Sequence, residues 1–184
     1  MTVGEIYDKY YRPGSRVRLI LECHSRSVAA LALHINTFFN LGLDPALVEE
    51  AAMLHDIGIF LTDADGIDCH GTEPYIRHGI LGAQLLREEG FAEEVARVAE
   101  RHTGAGITRA DIEELNLPLP TEKCLYPETL LERVVCYADK FYSKSGDMKR
   151  KSLERVRGSM ARHSSSTLER FEKLHAEFGA AIAD

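Results

Sequence analysis

The 184-residue chain has no long apolar run. None of its hydrophobic stretches approaches the roughly 20 residues that a membrane-spanning helix requires. Its first residues also lack a charged region followed by an apolar segment, which is the pattern of a secretory signal. These two absences lead us to expect a protein that does not enter a membrane and is located in the cytoplasm.

The chain has few cysteines, and no two of them have the spacing of a zinc knuckle or a redox pair. Scattered thiols of this kind are typical of buried or incidental residues in a reducing compartment, so we expect no structural disulfide. The four thiols belong to Cys23, Cys69, Cys124 and Cys136.

Positive charge is scarce over most of the sequence, which carries a formal net charge of −7. Binding to nucleic acid depends on the neutralisation of phosphates, so this balance argues against nucleic acid as a partner. The exception is the segment from Lys140 to Arg162, which contains eight basic residues and two acidic ones. Such a cluster more often forms a solvated helix face than a binding surface.

Strand-like alternation and internal repeats are absent as well, whereas apolar residues recur at three- and four-residue steps. The length and the hydrophobic content of 45% are ordinary for one soluble domain. We therefore expect an all-α fold in a single domain that spans residues 1–184.

The predicted helices follow this spacing and the usual start and stop signals. Asp44 before Pro45 marks one start, Thr108 with Asp111 marks another as a capping box, and Ser166 with Glu169 marks the last. Glycines, aspartates and a proline without helical period predict a long loop over residues 58–76. Two short helices are predicted over residues 3–10 and 15–22. Further helices are predicted over residues 24–39, 45–55, 77–89, 95–102 and 130–144.

Four histidines and two aspartates lie toward the ends of these predicted helices, on or beside the apolar faces. A single histidine on an apolar stripe is usually a core residue, but an inward carboxylate at Asp139 is costly without a cation. An ordered series of such residues therefore predicts a metal site in the core. Its members are His24, His55, Asp56, His78, His102 and Asp139.

These residues offer a mixed set of nitrogen and oxygen donors. Such a set favours iron or manganese and tolerates magnesium, zinc or nickel. Two ions roughly 3.5 to 4 Å apart would share a hydroxide nucleophile and neutralise the charge that develops on a phosphoryl group. The first ion would be held by His24, His55, Asp56 and Asp139, and a second by His78 and His102 with Asp56 as the bridge.

The stretch 55–58, which reads HDIG, resembles the HDIG branch of the HD superfamily of metal-dependent phosphohydrolases, with His24 before it and Asp139 after it. The resemblance covers roughly residues 20–145. It implies an HD-type helical bundle with a metal site in its core, which leaves residues 146–184 as a C-terminal helical extension.

Two further segments, 77–83 and 100–106, look like those of a group of small HDIG proteins that are predicted hydrolases. The resemblance implies the same six ligands, with His78 and His102 on the second metal. One position departs from the pattern, because many members carry lysine after the glycine of HDIG and this chain has Ile59. A lysine contact to substrate phosphate cannot be carried over from that position.

The resemblance implies a phosphohydrolase that cleaves a phosphomonoester or phosphodiester bond in a small, nucleotide-like substrate with a metal-bound hydroxide, and Asp56 as the shared ligand. Lys140 and Lys144, close to Asp139 in the sequence, could reach the substrate phosphate. His70 could be a substrate-facing donor or a solvated loop residue. Two alternatives stay open, a di-iron oxygenase with the same ligand series and a nucleotide-sensing module without turnover. A homodimer is also left open.

Overall fold

The computed structural model describes residues 1–145 and 148–182, and most of these residues are helical. The all-α prediction is confirmed, with a small sheet as the exception. In chain order the helices are α1 (Val3–Tyr10), α2 (Arg16–Phe38), α3 (Pro45–Leu54), α4 (His78–Glu88), α5 (Glu93–Arg101), α6 (Arg109–Glu114), α7 (Leu130–Asp139), α8 (Leu153–His163) and α9 (Ser165–Phe178).

Helix α2 is one continuous helix of 23 residues, so the prediction of two helices, 15–22 and 24–39, is wrong. No glycine or proline separates the two predicted pieces. Glu22 instead pairs along the helix with Arg18 at 2.7 Å and with Arg26 at 3.7 Å. Because the Glu22–Arg26 pair spans the predicted break, the helical turn continues through it.

The segment predicted as a loop over residues 58–76 contains short strands and single turns of 3₁₀ helix. Strand β1 (Thr62–Ala64) pairs antiparallel with β2 (Cys69–His70) and parallel with β3 (Glu73–Pro74). Strands of two or three residues are too short to show an alternating pattern in the sequence. The sheet leads the chain back to the start of α4.

Side-chain caps begin several helices as predicted. Asp44 accepts a hydrogen bond from the backbone of Ala46, and Thr108 forms a capping box with Asp111. Helix α9 differs, because its N-cap is Ser164 and not Ser166. Serine lies at both positions, so the sequence pattern does not decide between them.

Helix α7 lies in the centre of the fold and is buried along nearly its whole length. It contacts α2, α3, α5 and α9. Tyr137 of α7 packs on two rings of α9, with centroids 5.8 Å from Phe171 and 5.7 Å from Phe178. The C-terminal helix therefore shares the core with the helix that carries Asp139.

No helix in the described part of the chain has both the length and the apolar character that crossing a membrane requires.

Helices α4 and α5 pack closely, backbone against backbone, at Gly79. A Cβ atom at this position would lie 2.6 Å from the carbonyl oxygen of Ala99. The absence of a side chain at Gly79 therefore allows the short distance between the two helices. Helix α4 begins at His78 and α5 is followed by His102, so this distance also affects the spacing of two predicted ligands.

We expect Gly79→Ala to lower the free energy of unfolding by about 1 to 3 kcal/mol, because the added methyl group must push the two backbones apart. Gly4→Ala is the matched control, because Gly4 also lies in a helix but an added Cβ atom there would have Oγ1 of Thr2 as its nearest neighbour, at 4.0 Å. This second change should raise the free energy by about 0.5 to 1 kcal/mol through helix propensity. Urea unfolding of both variants measures the difference, and equal effects would contradict the proposed contact.

Candidate metal centre

His55 and Asp56 lie in the turn that follows α3, and both side chains are fully buried. The hydroxyl group of Tyr11 in the turn after α1 donates a 2.6 Å hydrogen bond to the carbonyl oxygen of Ile57. Gly58 then allows α4 to approach, because a Cβ atom there would lie 2.4 Å from the carbonyl oxygen of His78. The HDIG turn is thus held from two sides.

Three of the four predicted histidine ligands are oriented in the same way. Their Nδ1 atoms contact the carbonyl oxygen three residues earlier, at 2.6 Å for His55, 2.7 Å for His78 and 2.8 Å for His102. A proton on Nδ1 satisfies each contact and leaves the lone pair on Nε2. Backbone contacts of this kind fix the tautomer and ring orientation that metal ligation needs.

The two carboxylate oxygens of Asp56 face different pairs of histidines. Its Oδ2 atom lies 3.2 Å from Nε2 of His24 and 3.0 Å from Nε2 of His55. Its Oδ1 atom lies 3.3 Å from Nε2 of both His78 and His102. A carboxylate in this position can serve two ions at once.

Asp139 completes the first of the two groups. Its Oδ1 atom lies 3.0 Å from Nε2 of His24 and 3.5 Å from Nε2 of His55. Within each group, the potential ligand atoms all lie within 4.8 Å of one another. The first group contains His24, His55, Asp56 and Asp139, and the second contains Asp56, His78 and His102.

The contacts inside the cluster fit a bound cation. Nε2 of His24 lies 3.2 Å from Nε2 of His55, and the same atoms of His78 and His102 are 3.0 Å apart. Two lone pairs repel at such distances unless a positive charge lies near both of them. Neither oxygen of the buried Asp56 carboxylate has a hydrogen-bond partner among the described residues, although Lys144 forms an ion pair with it. One or two divalent ions would satisfy these donor atoms.

Charge in the cluster depends on the balance between burial and near neighbours. Burial would raise the pKa of Asp56, but the charges of His55 and Lys144 hold it well below its ordinary value. Burial alone would lower the pKa of His55, yet Asp56 and Asp139 raise it to about 9. Burial lowers the pKa of His102 to about 3, so this imidazole is neutral and able to bind a metal.

The structure gives Lys140 and Lys144 different positions. The Nζ atom of Lys140 donates to Asp139 at 2.6 Å and to the carbonyl oxygen of His102 at 2.8 Å, so this side chain is tied to the cluster. Lys144 lies beyond the end of α7, which stops at Asp139 and not at residue 144 as predicted. Its Nζ atom lies 2.6 Å from Oδ2 of Asp56.

A cavity of about 580 Å³ opens onto the cluster at His78, His102 and Asp139. Although the chain as a whole is acidic, the cavity lining within residues 1–145 and 148–182 contains four cationic side chains and two carboxylates. An excess of positive charge in a concave site attracts anions. The cations are Lys140, Lys144, Lys151 and Arg170, and the carboxylates are Asp111 and Asp139.

His70 is not among the residues that line this cavity. Its side chain is 67% exposed and lies 3.2 Å from Asp65 and 3.3 Å from Asp68. The structure therefore favours the solvated loop residue over the substrate-facing donor. Ile59 is fully buried in the core, so the position that holds lysine in many family members is an apolar packing position here.

The sequence does not reveal that Tyr75 belongs to the site, because this residue lies in the segment predicted as a loop, where no periodic pattern indicates which side chains face inward. Its ring stacks on His78 with centroids 4.6 Å apart, and it lines the cavity. Burial raises its pKa to about 12, so the phenol stays protonated near neutral pH. The cavity also includes residues of the C-terminal helices, which no motif singled out.

The sequence model of the HD domain family matches residues 21–143. The chain belongs to the HD domain family. The matched segment contains all six predicted ligands and ends shortly after Asp139, so part of the cavity wall, including Lys151 and Arg170, lies outside it.

Relatives of this HD domain protein carry several different names. It is 45% identical to an uncharacterised protein of Methanocaldococcus jannaschii over 97 residues, which are 53% of this chain and 49% of that one. It is 33% identical to a tRNA (cytidine(56)-2'-O)-methyltransferase of Thermoplasma volcanium over 168 residues, 91% of this chain and 44% of that one. Ribonuclease Y of Thermobifida fusca is 44% identical over 62 residues, 34% of this chain and 11% of that one. The chain thus spans half or less of the length of these relatives.

Two solved structures share the fold of this HD domain protein. The HD domain of the phosphodiesterase PgpH from L. monocytogenes matches with a TM-score of 0.55 and 15% identity, and the match covers 98% of both chains. The same domain in complex with cyclic-di-AMP matches with a TM-score of 0.54 and 15% identity, covering 99% of this chain and 97% of that one. At this identity the likeness concerns the fold alone.

We expect the double variant His78→Ala/His102→Ala of this HD domain protein to bind one manganese ion per chain where the unmodified protein binds two, because the first ligand group stays complete. His34→Ala, an exposed histidine on the helix that also carries His24, should bind as many ions as the unmodified protein. Metal content after dialysis, measured by mass spectrometry, distinguishes these results. Two ions in the double variant would show that the second group is not a metal site.

Proposed function

We propose that this HD domain protein is a metal-dependent phosphohydrolase that cleaves a phosphomonoester or phosphodiester bond in a small, nucleotide-like substrate. The observation that carries the proposal is the position of Asp56, whose two oxygens face two separate pairs of histidines at the end of a positively lined cavity. A phosphohydrolase needs a positively lined cavity because its substrate is an anion. It needs ligands for divalent ions because the reaction builds further charge on the phosphoryl group.

In this proposal the two ligand groups each hold one divalent ion. Divalent ions held by such donors supply Lewis acidity to a phosphoryl group and generate a nucleophile from water near neutral pH. The first group would comprise His24, His55, Asp56 and Asp139, and the second Asp56, His78 and His102.

The two lysines would then have different roles. Lys140 orients Asp139, because its ammonium group is shared between this carboxylate and the carbonyl oxygen of His102. Lys144 is positively charged, because its contact with Asp56 outweighs the effect of burial and raises its pKa. Since Lys144 lines the cavity, we assign it to the substrate phosphate, where a substrate oxygen competes with Asp56 for the ammonium group.

Tyr75 adds a neutral donor to this site. Its protonated phenol lies in the cavity wall, and its ring fixes His78 by stacking. We propose that it positions His78 and donates a hydrogen bond to the bound phosphoryl group.

The names of some similar proteins support the choice of substrate class. The structural neighbour PgpH is named as a phosphodiesterase and was solved with cyclic-di-AMP, and Ribonuclease Y is named as a nuclease. The cavity volume of about 580 Å³ suits a small molecule of nucleotide size and not a folded nucleic acid. The methyltransferase name of the Thermoplasma volcanium relative lends no support to hydrolysis, and the match covers less than half of that chain.

We expect iron-free protein reconstituted with manganese in the absence of oxygen to release phosphate or a nucleoside monophosphate from a member of a nucleotide panel. Hydrolysis requires Lewis acidity and no change of metal valence, so a redox-stable ion is sufficient. Asp56→Asn protein, treated in the same way, is the inactive control. Activity that appeared only with iron and molecular oxygen would establish the oxygenase alternative in place of hydrolysis.

We expect Lys144→Gln to raise KM about tenfold, or ~1.4 kcal/mol, with little change in metal content, and high salt should weaken substrate binding in the same direction. Lys140→Gln should instead lower the metal content, because Asp139 loses the contact that orients it. Steady-state kinetics and metal analysis of both variants separate the two roles. An unchanged KM in the Lys144 variant would remove that residue from the substrate site.

A further inference from the structure

Three of the four cations in the cavity wall are paired with carboxylates. Lys140 pairs with Asp139 at 2.6 Å and Arg170 with Asp111 at 2.7 Å. Lys144 pairs with Asp56, as described above. These contacts neutralise three positive charges of the wall before any substrate arrives.

Lys151 is the exception. No carboxylate of residues 1–145 or 148–182 lies within ion-pair distance of its ammonium group. Among the described residues, the hydrogen-bond partner of the Nζ atom is the carbonyl oxygen of Lys140, at 3.1 Å. A half-buried ammonium group with one neutral partner is able to accept an anion without first breaking an ion pair.

The position of Lys151 is fixed next to the metal cluster. Its backbone N–H donates to the carbonyl oxygen of Phe141 at 2.7 Å, and its side chain reaches the carbonyl oxygen of Lys140. Lys140 directly follows Asp139, and consecutive Cα atoms are about 3.8 Å apart. The free charge is therefore anchored one residue beyond a proposed metal ligand, in the same cavity.

The surroundings of Lys151 favour a bound anion. Burial lowers its pKa below the ordinary value, Asp139 opposes this, and the charges of Lys140 and Lys144 add to the lowering. Cations placed close together in a partly desolvated site repel one another, and a negative charge between them relieves that repulsion.

We propose that Lys151 forms a second phosphate subsite, so that the substrate carries two adjacent phosphoryl groups, as a nucleoside diphosphate or triphosphate does. This inference rests on the proposed function, which places the first phosphoryl group at the metal cluster and Lys144. The subsite lies outside the segment 21–143 that the HD domain family matches, so it is a feature of this chain's C-terminal part.

The rest of the cavity wall suits the nucleoside end of such a substrate. Several apolar side chains line it, and Leu115 among them is 47% exposed. An apolar wall of this kind accepts the face of a base, while the cations hold the phosphates. The larger apolar side chains include those of Ile67, Ile76, Ile107, Leu115, Leu117 and Met160.

Two phosphonates that resist hydrolysis test the subsite by binding alone. Methylenediphosphonate has two adjacent phosphoryl groups and methylphosphonate has one, so the ratio of their affinities reports the second group. Calorimetric titration of the 184-residue chain in excess magnesium should give at least tenfold tighter binding of methylenediphosphonate than of methylphosphonate. Lys151→Gln should reduce this ratio to about twofold or less and leave the affinity for methylphosphonate nearly unchanged.

Two further variants control the test. Arg155→Gln removes the same charge from an exposed position of the same segment that does not line the cavity, and it should keep the tenfold ratio. Lys151→Arg keeps the charge and should restore the ratio that Lys151→Gln loses, which separates the charge from any effect on folding. An unchanged ratio in Lys151→Gln, or a loss in Arg155→Gln of equal size, would overturn the subsite.

Failure of this inference is distinguishable from failure of the proposed function. The titrations need no turnover, so a loss of the ratio in Lys151→Gln supports the subsite even if no substrate is hydrolysed. Conversely, manganese-dependent phosphate release, together with an unchanged ratio of the two phosphonate affinities in Lys151→Gln, would support the phosphohydrolase and contradict the second subsite.

Discussion

The arrangement of the site depends on the burial of two carboxylates. Asp56 and Asp139 bring oxygens within 4.8 Å of each other in the interior, where unpaired negative charge is strongly unfavourable. The histidines and lysines around them are placed by five different helices and the segments that follow those helices. Each of these segments must reach the same small volume, so the packing of the five helices has little freedom to vary. The five are α2, α3, α4, α5 and α7.

That the six predicted ligands lie close together could be predicted from the sequence, because each lies on or next to the apolar face of a helix. The periodicity that places Val28 and Val48 in the core also places His24 and His55 close to it. Their mutual distances could not be predicted, since they depend on close backbone approaches at Gly58 and at Gly79. A glycine in a sequence does not reveal which backbone will pack against it.

The end of α7 shows why the lysines were harder to place. A helix over residues 130–144, as predicted, would place Lys144 one turn beyond Lys140. In the structure, the backbone N–H groups of residues 140–142 instead donate to the carbonyl oxygen of the third residue before each of them. This tighter turn ends the helix and redirects the chain. Lys144 therefore reaches Asp56, a contact that helical spacing alone does not predict. The short strands and Tyr75 escaped prediction for a related reason, because they lack any period.

The central helix α7 also connects parts of the molecule that the sequence keeps apart. One face of it presents Asp139 to the metal cluster, while Tyr137 packs between rings of α9 and donates to or accepts from His175 at 2.8 Å. A rigid helix transmits a tilt at one point to its whole length. Helix α9 thus acts as a mechanical brace for the ligand cluster, and a mutation in its interface with α7 would change the geometry of that cluster without any contact with its members.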